Sequence, residues 1–384
     1  MDFMFYMSYY WNWLSSQFTG YPMVIKTTMV LVGVLLLMYC FSFFRFFRTH
    51  KVKSNYQRTR NNQESQLIDR LQNILFDSKN FKESEIDQLF KEDKNLVRRN
   101  YQKRVFTHFM VDMSARGHAD RNKMNLNNYV IVLDSFGIID FWNKILGARS
   151  PKLKQEAIRA LDDLNVGLSG ASIQQSVYHK NGNLRKNARA AMMKYNINDP
   201  YKFLQEGFDA GFNAMDEIRL HYFLSGQAEQ SALPQLISWV DSSDTKYRSF
   251  LIREIGFFKQ TGSCGALLEL FKTENDVSVK CEIVKALGIM KYSLAKGVFM
   301  ESYEVSHKLV QRSIIKSLPN LGGIEVLDFL ITIYNQTFDS DTKMQLAYAI
   351  GQYGTQGKSR LKAVVVDRSE FDQALYAQID YQLN

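Results

Sequence analysis

The sequence predicts an all-α protein: an α-solenoid of stacked helical hairpins behind one N-terminal transmembrane helix. Three observations carry this. Five prolines and 21 glycines stand against 46% apolar and 13% aromatic residues, which excludes a disordered, collagenous or turn-dense β chain. Thr27 to Phe44 is an 18-residue run without a charge. From Lys154 onward an apolar pattern returns every 31 or 32 residues, and a fixed period of that length is the signature of stacked helical units.

With 384 residues, a sizeable core forms without disulfides or metals. Cys40, Cys264 and Cys281 are too few and too scattered for a disulfide framework or a four-ligand zinc site, which fits a reducing compartment. The net charge of +9 is uneven. Residues 1–66 hold 7 Lys/Arg and 2 Asp/Glu, whereas residues 151–384 hold 27 and 26. A nucleic-acid-binding surface needs a basic face on the folded part, so no nucleic-acid partner is expected.

The first 21 residues carry nine aromatic residues and no Lys or Arg, a composition suited to an interfacial segment (1–21). The transmembrane helix follows at 22–47. Its apolar run spans about 27 Å at 1.5 Å per residue, close to a hydrocarbon core of roughly 30 Å. The basic start and small-residue cleavage site of a signal peptide are missing, so a permanent anchor is expected. Lys26 flanks one end, and Arg45, Arg48, Lys51 and Lys53 flank the other. The positive-inside rule then puts the N-terminus outside and the bulk of the chain in the cytoplasm. Residues 48–66 are polar and basic without an apolar period, and are predicted to be a linker beside acidic lipid headgroups.

Residues 67–149 form a helical cap region that does not follow the repeat. Leu67, Ile68, Leu71, Ile74 and Leu75 make one stripe, Ser84 with Asp87 has capping-box spacing, and a longer helix is expected over Leu96 to Met113. The basic cluster Arg98 to Arg104 lies within it and is expected to be a solvated face.

The repeats occupy 150–366. Second helices start near Lys154, Arg185, Glu217, Arg248, Lys280, Gln311 and Lys343. Offset three is always apolar (Ala157, Ala188, Leu220, Leu251, Ile283, Ile314, Leu346), as is offset seven (Leu161, Met192, Leu224, Ile255, Leu287, Leu318, Ile350). Both offsets lie on one helical face, which must be buried. Offset six is Ala in four repeats, and Gly256, Gly288, Gly351 or Pro319 follows the stripe, where each is expected to help end the helix. Leu204, Leu236, Leu268, Phe299 and Leu330 recur in the preceding helix, with Pro200 and Pro234 at expected N-termini. Ser369 and Asp372 begin a last capping helix in 367–384.

The segments DVSVKCEIVKALGIM (276–290), SPKLKQEAIRALDDL (150–164) and DTKMQLAYAIGQYG (341–354) resemble the second helix of HEAT-like repeats, especially the short bacterial kind that includes bilin lyases. The period is shorter than that of longer HEAT units, and several repeats lack the typical Asp before this helix. Tetratricopeptide repeats are the alternative, but their first-helix pattern is missing. The resemblance implies a protein-binding scaffold in a bacterial envelope, polysaccharide-synthesis or export complex. The same fold also serves lyases or isomerases and DNA glycosylases, and a membrane-linked sensor is a further alternative.

No metal-ligand spacing, phosphate loop or nucleophile elbow occurs, so neither catalytic residues nor a cofactor is expected. His118 and Asp120 form the one acid–base spacing, at chance level. Offset five reads Arg159, Ala190, Tyr222, Arg253, Lys285, Lys316 and Tyr348. Stacking would align this basic and aromatic column, with Arg253, Lys285 and Lys316 as a cationic ladder for an acidic protein segment. The expected partners are therefore membrane-associated proteins and the lipid bilayer of a bacterial inner (cytoplasmic) membrane.

Overall fold

The computed structural model describes residues 2–119, 124–168, 170–196, 198–366 and 368–382. Among them are twenty α-helices and no strand. Two compact units are distinguished: Met1–Gly147 with Arg159–Gly167, and Ala148–Ile158 with Leu168–Asn384.

The first unit begins with α1 (Asp2–Gly20) and α2 (Met23–Leu75). The Lys26 ammonium donates to the Thr19 carbonyl at 3.0 Å, so this cation satisfies a carbonyl at the end of α1. Helix α2 is unbroken for 53 residues. The stretch 48–66, expected as a linker, is therefore helical. It contains neither Pro nor Gly, and helix propagation from an existing apolar helix avoids the cost of nucleation. Its far end is also held. Leu67, Leu71, Ile74 and Leu75 are buried, the Gln63 amide donates to the carbonyls of Leu96 and Gln102, and Arg60 pairs with Asp112.

The remaining helices of this unit are α3 (Glu83–Leu89), α4 (Asn100–Ala119), α5 (Leu126–Ser135) and α6 (Ile138–Leu146). Helix α3 starts earlier than the Ser84/Asp87 spacing predicts. The Glu85 carboxylate accepts from the Lys82 amide, and Asp87 instead pairs with Lys94 and accepts from the Ser135 hydroxyl. Helix α4 starts at Asn100, because Asp93–Val97 forms a separate 3-10 turn. Helix α7 (Pro151–Leu164) contributes residues to both units.

The second unit continues with α8 (Gly170–Ile173), α9 (Gly182–Tyr195), α10 (Lys202–Gln205), α11 (Ala214–Gln230), α12 (Thr245–Phe257), α13 (Cys264–Thr273) and α14 (Val277–Ile289). It ends with α15 (Ala295–Ser302), α16 (Lys308–Leu321), α17 (Ile324–Gln336), α18 (Ser340–Gly351), α19 (Gly354–Val365) and α20 (Glu370–Gln382). The second helices pack in succession: α9 on α11, then α12 on α14, α14 on α16, α16 on α18 and α18 on α20. The first helices form another row, α15 on α17 and α17 on α19. Early first helices are short, with only a 3-10 turn at Leu236–Trp239.

Offsets three and seven meet the burial expectation at thirteen of fourteen positions; Met192 is half-buried. Each fully buried Leu or Ile contributes roughly 1.5–3 kcal/mol. The polar ends are also regular. Asn181, Asn213, Asp244, Asp276, His307 and Asp339, each four residues before a repeat start, accept backbone N–H bonds as N-caps. A capping side chain of this kind contributes about 1 kcal/mol over Ala.

Two of the three glycines after the stripe do not end their helices. Gly256 and Gly288 lie inside α12 and α14, and the turns come later at Lys259 (φ 50°) and Lys291 (φ 54°). At these lysines the next residue bonds back in a Schellman pattern, Gln260 N–H to Ile255 and Tyr292 N–H to Leu287. The glycines instead permit close packing. A Cβ on Gly256 would meet the Ala286 Cα at 2.9 Å, and one on Gly288 the Ser317 Cβ at 2.7 Å. Pro319 sits within α16 and Gly351 is the last residue of α18.

Basic residues at offset zero tie one repeat to the next. Arg248 pairs with Glu274, and Lys343 pairs with the buried Asp372 at 3.0 Å. Ser369 and Asp372 begin α20 as expected, with Leu375 and Ile379 inward and Gln373, Gln378 and Gln382 outward.

Gly288→Ala is expected to lower thermal stability by about 1–3 kcal/mol through the forced separation of α14 and α16. Gly297→Ala, at an open helical position, is expected to leave stability unchanged or raise it by up to about 1 kcal/mol. Thermal or denaturant unfolding of the two variants, followed by circular dichroism, checks the contrast.

Candidate functional site

The offset-five residues of the second unit are outward-facing as their helical phase requires. Tyr222 lies on α11, Arg253 on α12, Lys285 on α14, Lys316 on α16 and Tyr348 on α18. Arg253, Lys285 and Lys316 are exposed, and Tyr222 is 82% exposed. Arg159 lies on α7, in the segment grouped with the first unit.

The structure changes the electrostatics expected of the column. Arg253 contacts Glu217 at 2.7 Å and Glu282 at 3.5 Å, and Lys285 contacts the same Glu282 at 2.9 Å. Glu217, Arg253, Glu282 and Lys285 thus form an alternating chain instead of a bare cationic ladder. Partial burial works against the Arg253 charge, but the two carboxylates outweigh it and hold the guanidinium above its ordinary pKa. Lys316 has no acidic partner among the described residues. The Tyr348 hydroxyl donates to Gln382 and accepts from Gln378, both on α20. Within the strip Lys316 and the exposed Tyr222 therefore stand outside the ion-pair chain, with Arg253 and Lys285 partly neutralised.

A second feature arises where two repeats depart together from their pattern. Offset four is apolar in most repeats but is His221 on α11, and offset six, usually Ala, is Glu254 on α12. The Glu254 carboxylate is buried and lies 2.8 Å from the His221 Nδ1. Burial raises the Glu254 pKa, with His221 acting in the opposite direction. The imidazole stacks against Phe258 and meets Phe257 edge-on at 4.8 Å, while Phe257 and Ile289 remain at least half exposed. Chemically this is a carboxylate-oriented imidazole held against two phenyl rings. No hydroxyl or thiol bonds to the ring among the described residues.

Other sequence-derived candidates are dispersed. Arg45, Arg48, Lys51 and Lys53 are exposed on α2, and Lys26 is half-buried at the α1–α2 turn. Within the Arg98–Arg104 cluster, Lys103 donates to the Gly137 carbonyl, while Val97, Val105 and Phe109 supply the buried stripe. The His118 side chain and Asp120 lie outside the described residues. Cys264 and Cys281 are buried, and burial pushes the Cys264 thiol pKa up. Among the described residues no group of three or more His, Cys, Asp or Glu is arranged to hold a metal ion.

No protein-family model and no curated protein matches the chain. An engineered protein of known crystal structure matches over 79% of this chain and 92% of its own, with 12% identity and a TM-score of 0.37.

Because its folded-state pKa is raised, Glu254 favours folding most below the unfolded carboxyl range, and that contribution is lost as pH rises through the folded pKa. Glu254→Gln is therefore expected to gain stability relative to the parent as pH goes from about 4 to 7. Urea unfolding of both proteins across that range checks the sign; a constant difference would contradict it.

Proposed function

We propose that this chain is a membrane-anchored scaffold: a HEAT-like solenoid over 150–366, tethered by α2, that holds a partner protein against the cytoplasmic face of a bacterial inner membrane. The observation that carries the reading is a contrast in where apolar side chains go. The repeats bury theirs, whereas the most apolar window of α2 has none of its residues covered by the rest of the protein. That helix is long and apolar enough to cross a membrane. An uncovered helix of this kind, with every backbone bond internal, meets the requirements of a lipid environment. The cations from Arg45 onward support the cytoplasmic orientation of the bulk.

The mechanism is colocalisation. A partner bound to the repeats is held at a high effective concentration beside membrane components. The continuity of α2 supports a stiff connection between the apolar segment and the first unit. The strip carrying Tyr222, Arg253, Lys285 and Lys316 is the proposed contact surface, suited to a protein segment that combines an aromatic or apolar residue with acidic ones. Assemblies for envelope polysaccharide synthesis or export are the proposed setting, by resemblance to anchored HEAT-like proteins.

Crosslinking and mass spectrometry on native membranes are expected to recover one dominant membrane complex, with crosslinks at Lys285 and Lys316. Arg253→Glu/Lys285→Glu/Lys316→Glu is expected to reduce partner recovery by about tenfold, or roughly 1.4 kcal/mol. Unchanged recovery would remove this face from the proposal, and cleavage of a C-terminal tag by protease added outside intact cells would refute the orientation.

A further inference from the structure

Between Asp2 and Glu64 the chain has no acidic residue but seven Lys or Arg. The unbroken α2 sorts the cations that follow the apolar run by helical face. At about 100° per residue, Arg45, Arg48, Thr49, Val52, Lys53 and Tyr56 share one side, and these six line an open cleft. Lys51 and Arg58 fall on the opposite side. Arg60 lies near the azimuth of the cleft but is engaged by Asp112 and Glu64. Arg45, Arg48 and Lys53 are exposed and have no acidic partner among the described residues.

We propose that this face is a headgroup site for an anionic phospholipid, an inference that rests on the membrane reading above. Its position fits the ligand. Arg45 directly follows the uncharged run, and Arg45 to Arg48 rises about 5 Å, comparable to the depth of one headgroup layer. Lys53 lies about 12 Å along the axis from Arg45, at the aqueous edge. The charges are complementary to phosphate, and the long Arg and Lys stems reach along the helix while their heads stay in the polar layer.

The apolar component identifies lipid rather than a soluble anion. Val52 is 57% exposed between the cations, and the same face continues toward the chain start through Phe41, Met38 and Val34, all exposed. A diacyl phosphate meets both parts at once, whereas a free phosphate uses only the cations. The Thr49 hydroxyl bonds to the carbonyls of its own helix, so binding falls to the three cations. At the lower end, Tyr56 makes a ring contact with His108 of α4, so the face ends where the folded unit begins.

The test uses the full chain reconstituted in phosphatidylcholine vesicles with or without phosphatidylglycerol, followed by native mass spectrometry of retained lipid. The parent is expected to retain phosphatidylglycerol over phosphatidylcholine by tenfold or more. Arg45→Gln/Arg48→Gln/Lys53→Gln is expected to lose most of that preference, and Arg48→Gln alone part of it. Lys51→Gln/Arg58→Gln is expected to stay within twofold of the parent.

Equal losses in the two cation sets, no preference in the parent, or full displacement by inorganic phosphate would each overturn the proposal. Flotation with pure phosphatidylcholine vesicles separates the two readings. A parent chain that does not float refutes the anchor and this site together; one that floats without preferring phosphatidylglycerol refutes the site alone.

Discussion

The second unit depends on one constraint: a second helix bears more apolar surface than its own hairpin partner covers, so it must find the next second helix. The burial of offsets three and seven is the consequence. Once those stripes meet, the spacing between helices is set by the smallest side chains between them. Gly256 against Ala286 and Gly288 against Ser317 bring neighbouring second helices closer than any larger pair permits. Ion pairs add to the apolar contacts between successive repeats, Arg248 with Glu274 and Lys343 with Asp372.

The N-terminal part obeys the same bookkeeping of surface with a different outcome. From Gln63 onward α2 is covered on one side by its own unit, with Leu67 and Leu71 fully buried. Toward the chain start it is uncovered, and its side chains there are apolar instead of charged. A single helix therefore passes from a segment packed against its own unit to an uncovered apolar one long enough to cross a membrane. The change occurs between Phe44 and Tyr56, where the cations lie. An irregular linker at that point would uncouple the two regimes; a continuous helix transmits orientation from one to the other.

Burial imposes a period on sequence, and what repeats is legible. The apolar offsets, the inward face of Leu67 to Leu75 and the last helix beginning at Ser369 were all readable for that reason. The capping positions were readable too, since a polar acceptor stands four residues before each start, although Asn and His take the role as well as Asp. Two kinds of feature escaped. The helicity of 48–66 is not encoded in its own apolar pattern but propagates from both ends. Gly256 and Gly288 suggested termini because glycine often ends helices, yet lysines in the left-handed region follow α12 and α14 instead, and nothing in a lysine's identity announces that conformation; at α18 the glycine does stand last. The site was less legible still. The exposure of offset five follows from helical phase, but Glu217 and Glu282, which neutralise part of it, lie at different offsets of different repeats.

Departures from the repeat carry the remaining information, because stacking gives every position a default environment. Glu254 and Asp372 are both buried carboxylates, and they respond in opposite ways. For Asp372, desolvation is outweighed by bonds from Ser369, Tyr334 and Lys343, which together hold its pKa low. For Glu254, burial prevails over the imidazole of His221 and the pKa rises. Three donors, one of them a cation, make a charge at home in the core; one half-exposed imidazole does not. Asp372 therefore behaves as a lock between α18 and α20, whereas Glu254 is a carboxyl group whose charge burial opposes, at an offset where four repeats carry Ala. Its contact with His221 joins α12 to α11 beside the exposed Phe257. The junction of α11 and α12 is accordingly where the repeat's regular apolar pattern gives way to a polar pair.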